Sequence, residues 1–173
     1  MFTANPKKVS QAKPIPKLSY QEAMELSHFG AKVIYPPTLQ PIVKKQIPTY
    51  IKNTFDAAAP GTQIDSHGDQ TNGEIVKGIS HIDDVALITL EGSGMIGIPG
   101  ISKRLFEALS SHSINIIMIT QASSEHSICI GIKESESDMA KKIVNEIFEY
   151  EIQNSILNPC TIEINLSIIA VVG

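Results

Sequence analysis

The chain has 173 residues, a net charge of −4 at pH 7 and 42% hydrophobic residues, with no Trp. This length suffices for one ordinary domain or two small ones, and the aliphatic composition favours a globular, sheet-containing fold. The acidic balance argues against nucleic acid as a partner, because phosphate contacts need a basic surface. No apolar run reaches membrane-spanning length and no signal segment opens the chain, so we expect no membrane association.

Residues 1–18 are rich in Lys and Pro and show no period, so we expect them to be extended and mobile. Ser19 and Glu22 match a capping box, which predicts a helix with Ala23 and Leu26 on its inner face.

Pro36 and Pro37 predict a break in the chain before a second helix over residues 38–45, with Thr38 as its N-cap. A short strand follows over residues 47–55. PG, HG and NG pairs then mark a turn-rich connector. The predicted domains are residues 1–60, a linker at 61–74, and residues 75–173.

Beyond the linker, hydrophobic periodicity predicts alternating strands and helices. The strands are 75–81, 85–91, 114–120, 128–133 and 161–172, and the helices are 101–112 and 137–150. The residues expected to face inward from the helices are Ile101, Leu105, Ala108 and Leu109, then Met139, Ile143, Ile147 and Tyr150.

The resulting β-α-β-β-α-β order predicts an α+β, ferredoxin-like fold, in which both helices cover one face of an antiparallel sheet. The other face is rich in Ile, so we expect it to pair with another copy in a homo-oligomer. Cys129 and Cys160 have apolar surroundings and no CxxC partner. We expect two small buried thiols in a reducing cytoplasm, not a disulfide or a metal site.

Two loops carry the chemistry of this chain. GSGMIGIPG, at residues 92–100, joins a strand to a helix, and TQASSEHS, at residues 120–127, joins two further strands. Such loops let backbone groups approach a small ligand, and the helix N-terminus suits a carboxylate. Gln121 can both donate and accept hydrogen bonds to an amino acid. The alternatives are a tight turn that needs its glycines and a merely solvated Gln121.

Catalytic patterns are absent from the sequence. The glycine spacing does not fit a dinucleotide site, no histidine has a partner at metal-ligand spacing, and no GxSxG, HExxH or phosphate-loop motif occurs. The two polar loops therefore indicate an amino-acid sensor without a metal and not a catalytic centre.

Several runs resemble aspartokinases over essentially the whole chain. GAKVIYPPTLQP and PGT resemble the end of the kinase domain, and FTANP resembles the family's nucleotide-side loop, usually Thr-x-Asp-Pro, with Asn5 in place of Asp. The run from Lys77 to Ile132 resembles the first ACT regulatory domain of the threonine-sensitive branch, where aspartokinase is often fused to homoserine dehydrogenase. The implied fold is an ACT domain preceded by a remnant of an α/β amino-acid-kinase domain.

The resemblance also implies roles for individual residues. Ile117 stands where the lysine-sensitive branch tends to carry an acidic residue, so it favours threonine as the effector. A lysine-sensitive or methionine-pathway aspartokinase and a free-standing ACT sensor remain alternatives. The residues implied near the nucleotide are Thr3, Asn5, Pro6 and Lys32. The residues implied around the effector are Ser93, Gly94, Met95, Ile96, Gly97, Pro99, Gly100, Ile101, Asn115, Ile117 and Gln121.

For the parent enzyme, the resemblance implies phosphorylation of aspartate by ATP with Mg²⁺, and feedback inhibition by threonine. The family's Lys-Phe-Gly-Gly segment and aspartate-binding residues have no counterpart in the chain, and residues 166–173 resemble the first strand of a second ACT domain. We therefore expect a fragment that lacks kinase activity and needs no cofactor, because phosphoryl transfer requires its positioning groups together. We also expect residues 1–60 to pack poorly or to be partly disordered.

Overall fold

The computed structural model describes residues 1–28, 33–69, 75–121 and 126–173. The chain forms two compact units. The first unit comprises Met1–Ile82 and Ile168–Gly173, and the second unit comprises Asp83–Ser167.

The first unit contains a three-stranded sheet in the order β1-β3-β2. β3 runs parallel to β1 and antiparallel to β2. Its elements are β1 (Lys17–Ser19), α1 (Tyr20–His28), α2 (Pro36–Lys45), β2 (Thr49–Ile51) and β3 (Thr62–Asp65). Its buried core consists of Met1, Ile15, Leu18, Tyr20, Ala23, Leu26, Leu39, Ile64 and Val172.

The capping box at the start of α1 is confirmed. The Ser19 backbone N–H donates to Glu22 Oε2 at 2.6 Å, and the Glu22 N–H donates to Ser19 Oγ at 3.1 Å. Ala23 and Leu26 are buried as predicted, so local sequence alone determines how this helix begins and which face it buries.

The prediction of a mobile segment over residues 1–18 is wrong, and with it the prediction that residues 1–60 pack poorly. The Thr3 N–H donates to Lys13 O at 2.8 Å, and the Ile15 N–H donates to Met1 O at 2.9 Å. Met1 and Ile15 are buried. The segment folds back on itself in short extended pieces between prolines, which are too short to show a hydrophobic period.

The predicted linker at 61–74 contains a strand that the sequence analysis missed. Thr62–Asp65 form β3, the central strand of the first sheet, and residues 70–74 lie outside the described residues. Gly61 and Gly68 flank β3 with φ of 76° and 60°. Turn residues dominate the sequence pattern of this region, and a strand of four residues is too short to show a clear hydrophobic alternation.

α2 begins at Pro36, so the two prolines start this helix where a break was predicted. Proline suits the first turn of a helix, because its missing N–H would have no partner there. Thr38 is therefore not an N-cap, and Tyr35 occupies that position without a side-chain cap. The predicted strand at 47–55 is confirmed only at Thr49–Ile51.

The second unit contains the predicted β-α-β-β-α-β order, and its four-stranded sheet has the order β5-β6-β4-β7. β6 runs antiparallel to both β4 and β5. The elements are β4 (Gly78–Glu91), α3 (Ile101–Ser111), β5 (Met118–Gln121), β6 (Ser127–Lys133), α4 (Ser137–Ile147), α5 (Glu149–Gln153) and β7 (Thr161–Val172). This is a ferredoxin-like arrangement, so the predicted fold class is confirmed.

Aliphatic pairs between β4 and β6 form the centre of the second core. Ile88 lies opposite Ile130, and Leu90 lies opposite Ile128, with all four side chains buried. The helices cover this face of the sheet with residues that include the predicted stripe of α3, namely Ile101, Leu105, Ala108 and Leu109.

The inner face of α4 differs from the prediction. Met139 and Tyr150 are 57% and 71% exposed, whereas Ala140, Val144 and Phe148 are buried at i, i+4 spacing. The predicted single helix ends at Ile147, and no side chain caps its start. The prediction placed large apolar residues on the inner face of α4, whereas the face that is buried includes the small residue Ala140. Of the other predicted positions, Ile143 is buried and Ile147 is 38% exposed.

The strands predicted at 75–81 and 85–91 form one strand, β4, which starts at Gly78. Asp84 lies between the two predicted segments and has a φ of 57°. The strand predicted at 114–120 begins only at Met118. Cys160 is buried and Cys129 is half-buried, and both are free thiols.

Candidate functional site

A cavity of about 320 Å³ lies in the second unit, between the loop before α3 and the end of β5. Six residues predicted around the effector line it, namely Met95, Gly97, Pro99, Gly100, Ile101 and Gln121. Three further lining residues, Ile98, Ser102 and Ile128, are not among the predicted ones.

The inner wall of this cavity is apolar and its outer part is polar. Met95, Ile101 and Ile128 are 5%, 4% and 1% exposed. Gln121 is exposed and lies directly opposite Ile128 in the β5–β6 ladder. An amide is thus placed beside an aliphatic wall, which suits a small ligand with one apolar and one hydrogen-bonding part.

The N-terminus of α3 forms another part of the wall. Gly100 is the N-cap residue, with a φ of 93°, and no side chain caps the helix. The Arg104 N–H donates to Gly100 O at 3.0 Å, which closes the first turn. An uncapped helix start presents N–H donors and the positive end of the helix dipole, so this wall favours a carboxylate.

The four glycines of the loop are needed for two different structural reasons. Gly97 and Gly100 have φ of 71° and 93°, a conformation that strains other residues, and a Cβ added at either position would meet no atom within 4 Å. Gly92 and Gly94 instead leave room for neighbouring backbone, because a Cβ at either position would overlap Ile156. Gly97 and Gly100 line the cavity, whereas Gly92 and Gly94 have a packing reason of their own.

Five predicted effector residues lie outside the lining of this cavity. Ser93 and Gly94 belong to a 3₁₀ turn, Ser93–Met95, and Ile96 is exposed. Asn115 lines a separate shallow depression beside Phe106. Asn115 precedes β5, which begins only at Met118.

Ile117 is the fifth of these residues. Its N–H donates to Gly131 O at 2.8 Å, and its side chain is half-buried. In contrast, the missed residue Ile128 could have been found from the alternation of β6, where every second residue faces the helices.

Three of the predicted nucleotide-side residues, Thr3, Asn5 and Pro6, lie in the first unit. Thr3 Oγ1 accepts the Lys13 N–H at 3.0 Å, and Asn5 Oδ1 accepts the Lys7 N–H at 3.0 Å. Lys32 lies outside the described residues. Asn5 and Pro6 line a second cavity of about 560 Å³, whose other lining residues are Phe2, Ala4, Lys7, Leu26, Val33, Ile79, Ser80 and His81.

Comparison with known proteins decides the family. The chain is 42% identical over 177 residues to bifunctional aspartokinase/homoserine dehydrogenase 1, chloroplastic, of Arabidopsis thaliana, which covers 100% of this chain and 19% of that protein. It is also 42% identical over 173 residues to the bifunctional enzyme of Haemophilus influenzae, covering 100% of this chain and 21% of that protein. The chain belongs to the aspartokinase family. It spans about a fifth of the length of these curated relatives.

Two family profiles match separate parts of the chain. The profile described as amino acid kinase family matches residues 1–53, and the ACT domain profile matches residues 88–148. The first match falls in the first unit, and the second contains the cavity lining from Met95 to Ile128.

Solved aspartokinases have the same fold. The aspartate kinase of Clostridium acetobutylicum superposes with a TM-score of 0.85 at 26% identity, covering 100% of this chain and 39% of that one. Aspartokinase III of E. coli, in complex with aspartate and ADP in its R-state, gives a TM-score of 0.75 at 26% identity, over 98% of this chain and 37% of that one. The same enzyme with lysine and aspartate in its T-state gives 0.75 at 25% identity, over 99% and 37%.

The described residues contain neither a candidate metal-binding cluster nor a membrane-spanning helix. Within the described ranges, no group of three or more His, Cys, Asp or Glu side chains is arranged to hold a metal ion. Every helix in those ranges is too short or too polar to cross a membrane.

Proposed function

We propose that the chain is the regulatory segment of a threonine-inhibited aspartokinase, and that the cavity beside Gln121 binds the effector. The observation that carries the proposal is that Gln121 and the uncapped N-terminus of α3 line one cavity of about 320 Å³. The helix start would receive the carboxylate of the amino acid, and the apolar wall would receive its methyl group.

The lining chemistry favours threonine over lysine. The described lining residues include no Asp or Glu that could hold a second ammonium group. Gln121 and Ser102 provide an amide and a hydroxyl, which match the single hydroxyl of threonine. Lysine is the alternative effector, because E. coli aspartokinase III has been solved in complex with lysine and aspartate.

For the parent protein, we propose ATP-dependent phosphorylation of L-aspartate to 4-phospho-L-aspartate. The names of the relatives and the E. coli structure with aspartate and ADP support this activity. Thr3, Asn5, Pro6 and Lys32 would lie on the nucleotide side. The chain alone is expected to be inactive, because these residues are only part of a phosphoryl-transfer site.

The magnesium ion expected for such a reaction does not fit the residues described. Glu22 and Glu25 are the two carboxylates in residues 1–53, and Glu22 caps α1. Mg²⁺ prefers carboxylate and phosphate oxygens in octahedral geometry, so we derive no step through the metal.

Regulation would follow from differential binding. Threonine would shift the enzyme towards a less active arrangement if it bound that arrangement more tightly. The uncovered face of the sheet carries the half-buried side chains of Leu87, Met118 and Cys129, which support a homo-oligomer formed through ACT sheets. The free thiols of Cys129 and Cys160 support a cytoplasmic location.

A free-standing ACT sensor is the second candidate. The kinase-family match over residues 1–53 argues against it, because a sensor of that class needs no kinase segment.

Calorimetric titration of the chain and of the longer parent protein with threonine, lysine and methionine tests the assignment. Threonine should give a saturable signal, and lysine and methionine should give none at the same concentrations. A lysine signal with no threonine signal would overturn the assignment to the threonine-sensitive branch. Inhibition of the parent's aspartokinase activity by threonine separates the regulatory role from binding alone.

A further inference from the structure

A buried hydroxyl in the first unit has no hydrogen-bond partner. Ser80, near the start of β4, is 5% exposed, and its Oγ atom is buried without a partner among the described residues. Tyr20 Oη and Glu136 Oε2 also lack a partner there, but neither residue lines a cavity described above. Burying an unpaired hydroxyl is unfavourable, so such a group is often one that a ligand or a water molecule satisfies.

Ser80 lines the second cavity, of about 560 Å³, whose lining residues all belong to the first unit. The χ1 angle of serine has three staggered positions, so rotation about the Cα–Cβ bond can turn the hydroxyl towards a ligand in this cavity. The hydroxyl can then both donate and accept a hydrogen bond. An unused polar group in the wall of a largely apolar cavity is typical of a binding site.

Close backbone contacts place Ser80 beside the loop that carries Thr3. The Ile79 N–H donates to Thr3 O at 2.7 Å. A Cβ added at Gly78 would lie 3.2 Å from Thr3 O and 3.1 Å from Leu26 Cδ2, so a glycine allows the strand to approach this closely. Ser80 follows in the same strand, and its place in the cavity wall is therefore set by regular backbone structure.

The loop that contributes Asn5, Pro6 and Lys7 to the cavity is held by its own hydrogen bonds. Asn5 O accepts the N–H groups of Lys8 and Val9 at 3.0 and 2.9 Å, and Asn5 Oδ1 accepts the Lys7 N–H at 3.0 Å. Both the strand and the loop are thus ordered before a ligand arrives, which lowers the entropic cost of binding.

The remaining lining suits an aromatic anion. Phe2, Val33 and Ile79 are 48%, 52% and 46% exposed, and all three line this cavity. Exposed apolar side chains that gather around a cavity can cover a flat ring. Lys7 supplies a cation, and the described lining residues include no Asp or Glu that would repel an anion. A ring joined to a negative charge is the chemistry of a nucleotide.

We propose that the Ser80 hydroxyl binds the base of the nucleotide and that Ser80 is a specificity-determining residue for the phosphoryl donor. That the ligand is a nucleotide rests on the proposed function, whereas the role of Ser80 rests on its unpaired hydroxyl and its place in the cavity wall. Neither family profile includes Ser80, because the two profiles match residues 1–53 and 88–148.

Calorimetric titration of the full chain with ADP, and with inorganic pyrophosphate as a probe without a base, tests this role. Ser80→Ala should weaken ADP binding about tenfold, the loss of one buried hydrogen bond, and should leave pyrophosphate binding unchanged. Equal ADP affinity in the wild type and the variant, or an equal loss for both probes, would overturn the assignment to the base.

Ser19→Ala is the matched control, because it makes the same substitution in the same unit at a hydroxyl that has a partner. Ser19 Oγ accepts the Glu22 N–H at 3.1 Å, and Ser19 is not a lining residue of the cavity. The control should lower the Tm and leave ADP affinity unchanged. Ser80→Ala removes a hydroxyl that forms no bond in the free chain, so its Tm should stay the same or rise. A similar fall in Tm for both variants would indicate a structural hydroxyl and contradict the proposal.

The parent enzyme separates the role of Ser80 from the proposed function. Ser80→Ala should raise the KM for ATP about tenfold with little change in kcat, and should reduce the preference for ATP over GTP. If the parent phosphorylates aspartate and neither value changes, Ser80 does not bind the base and the proposed function stands. If the parent has no such activity and the chain still loses ADP affinity in Ser80→Ala, the proposed function fails and the role of Ser80 in nucleotide binding stands.

Discussion

The backbone N–H of Gly94 donates to the carbonyl oxygen of Ile156 at 3.1 Å, and a Cβ at Gly94 would overlap the side chain of Ile156. The turn before the cavity is thus packed directly against the segment that follows α5. This contact explains a glycine that the sequence pattern had associated with a ligand.

We predict that Gly94→Ala lowers the free energy of unfolding by about 2 kcal/mol, because the added methyl group has no space between the Ile156 side chain and its carbonyl oxygen. Gly97→Ala is the matched comparison. Open space surrounds that position, so only the strain of its positive φ remains, at about 1 kcal/mol. Urea unfolding of both variants measures the difference, and equal losses would mean that steric overlap at Gly94 is not decisive.

A second prediction concerns the ion pair that holds the first turn of α3. The Arg104 guanidinium donates to both carboxylate oxygens of Glu151, with Nη2 3.2 Å from Oε2, and it lies 4.6 Å from the centroid of the Phe148 ring. Glu151→Gln should cost about 1 kcal/mol of unfolding free energy at pH 7, since a bidentate, partly buried pair loses its charge. Glu107→Gln, at an exposed position of α3, is the control and should change little.

The pH dependence of that pair follows from the same geometry. The hydrogen bond from Arg104 lowers the pKa of Glu151, and this outweighs the opposing effect of burial. Its contribution to stability is therefore complete above the ordinary carboxyl pKa of 4.5 and is lost as the pH falls through the lowered pKa. The stability gap between wild type and Glu151→Gln should shrink below pH 4.5. A gap that stays constant down to pH 3 would contradict this account.

A third prediction concerns the capping box of α1. Ser19→Ala removes the hydroxyl that accepts the Glu22 N–H and should lower the unfolding free energy by about 1 kcal/mol. Ser10→Ala, at an exposed position outside the helices, should have no measurable effect. Chemical denaturation of the two variants side by side provides the measurement, and equal behaviour would show that the cap contributes nothing.

A fourth prediction concerns the effector. Gln121→Ala should weaken threonine binding about tenfold, which corresponds to the loss of one partly buried hydrogen bond. Thr120→Ala is the control, because Thr120 lies next along β5 and its side chain points to the opposite face of the sheet. Calorimetry of both variants decides the point. Unchanged affinity in Gln121→Ala would remove Gln121 from the binding site.

The sequence was most informative where local chemistry determines structure. The capping box at Ser19, the inner stripe of α3 and the strand at Thr161–Val172 all follow from patterns of a few neighbouring residues. β3 could not be found in this way, because Thr62 and Ile64 are buried by strands about 15 and 45 residues away in the chain.

The part of the candidate site that depends on local residue types could be predicted from the sequence. Gln121 and the loop at 97–101 were identified from residue types, and the structure brings them to one cavity. The alternation of β6 indicates that Ile128 faces the helices, but its position opposite Gln121 depends on the register of the β5–β6 ladder, and Asn115 is separated from the cavity because β5 starts late. Register and strand ends depend on tertiary contacts, which a single sequence does not reveal.

The most direct measurement is an NMR titration of the ¹⁵N-labelled chain with threonine, following the backbone amide shifts. The account predicts that the largest shifts occur at the amides of Gly97, Gly100, Ile101 and Gln121, and that the amide of Asn115 in the separate depression stays unchanged. Saturable shifts centred on Ile114–Ile116, or no shifts at threonine concentrations that inhibit the parent enzyme, would contradict it.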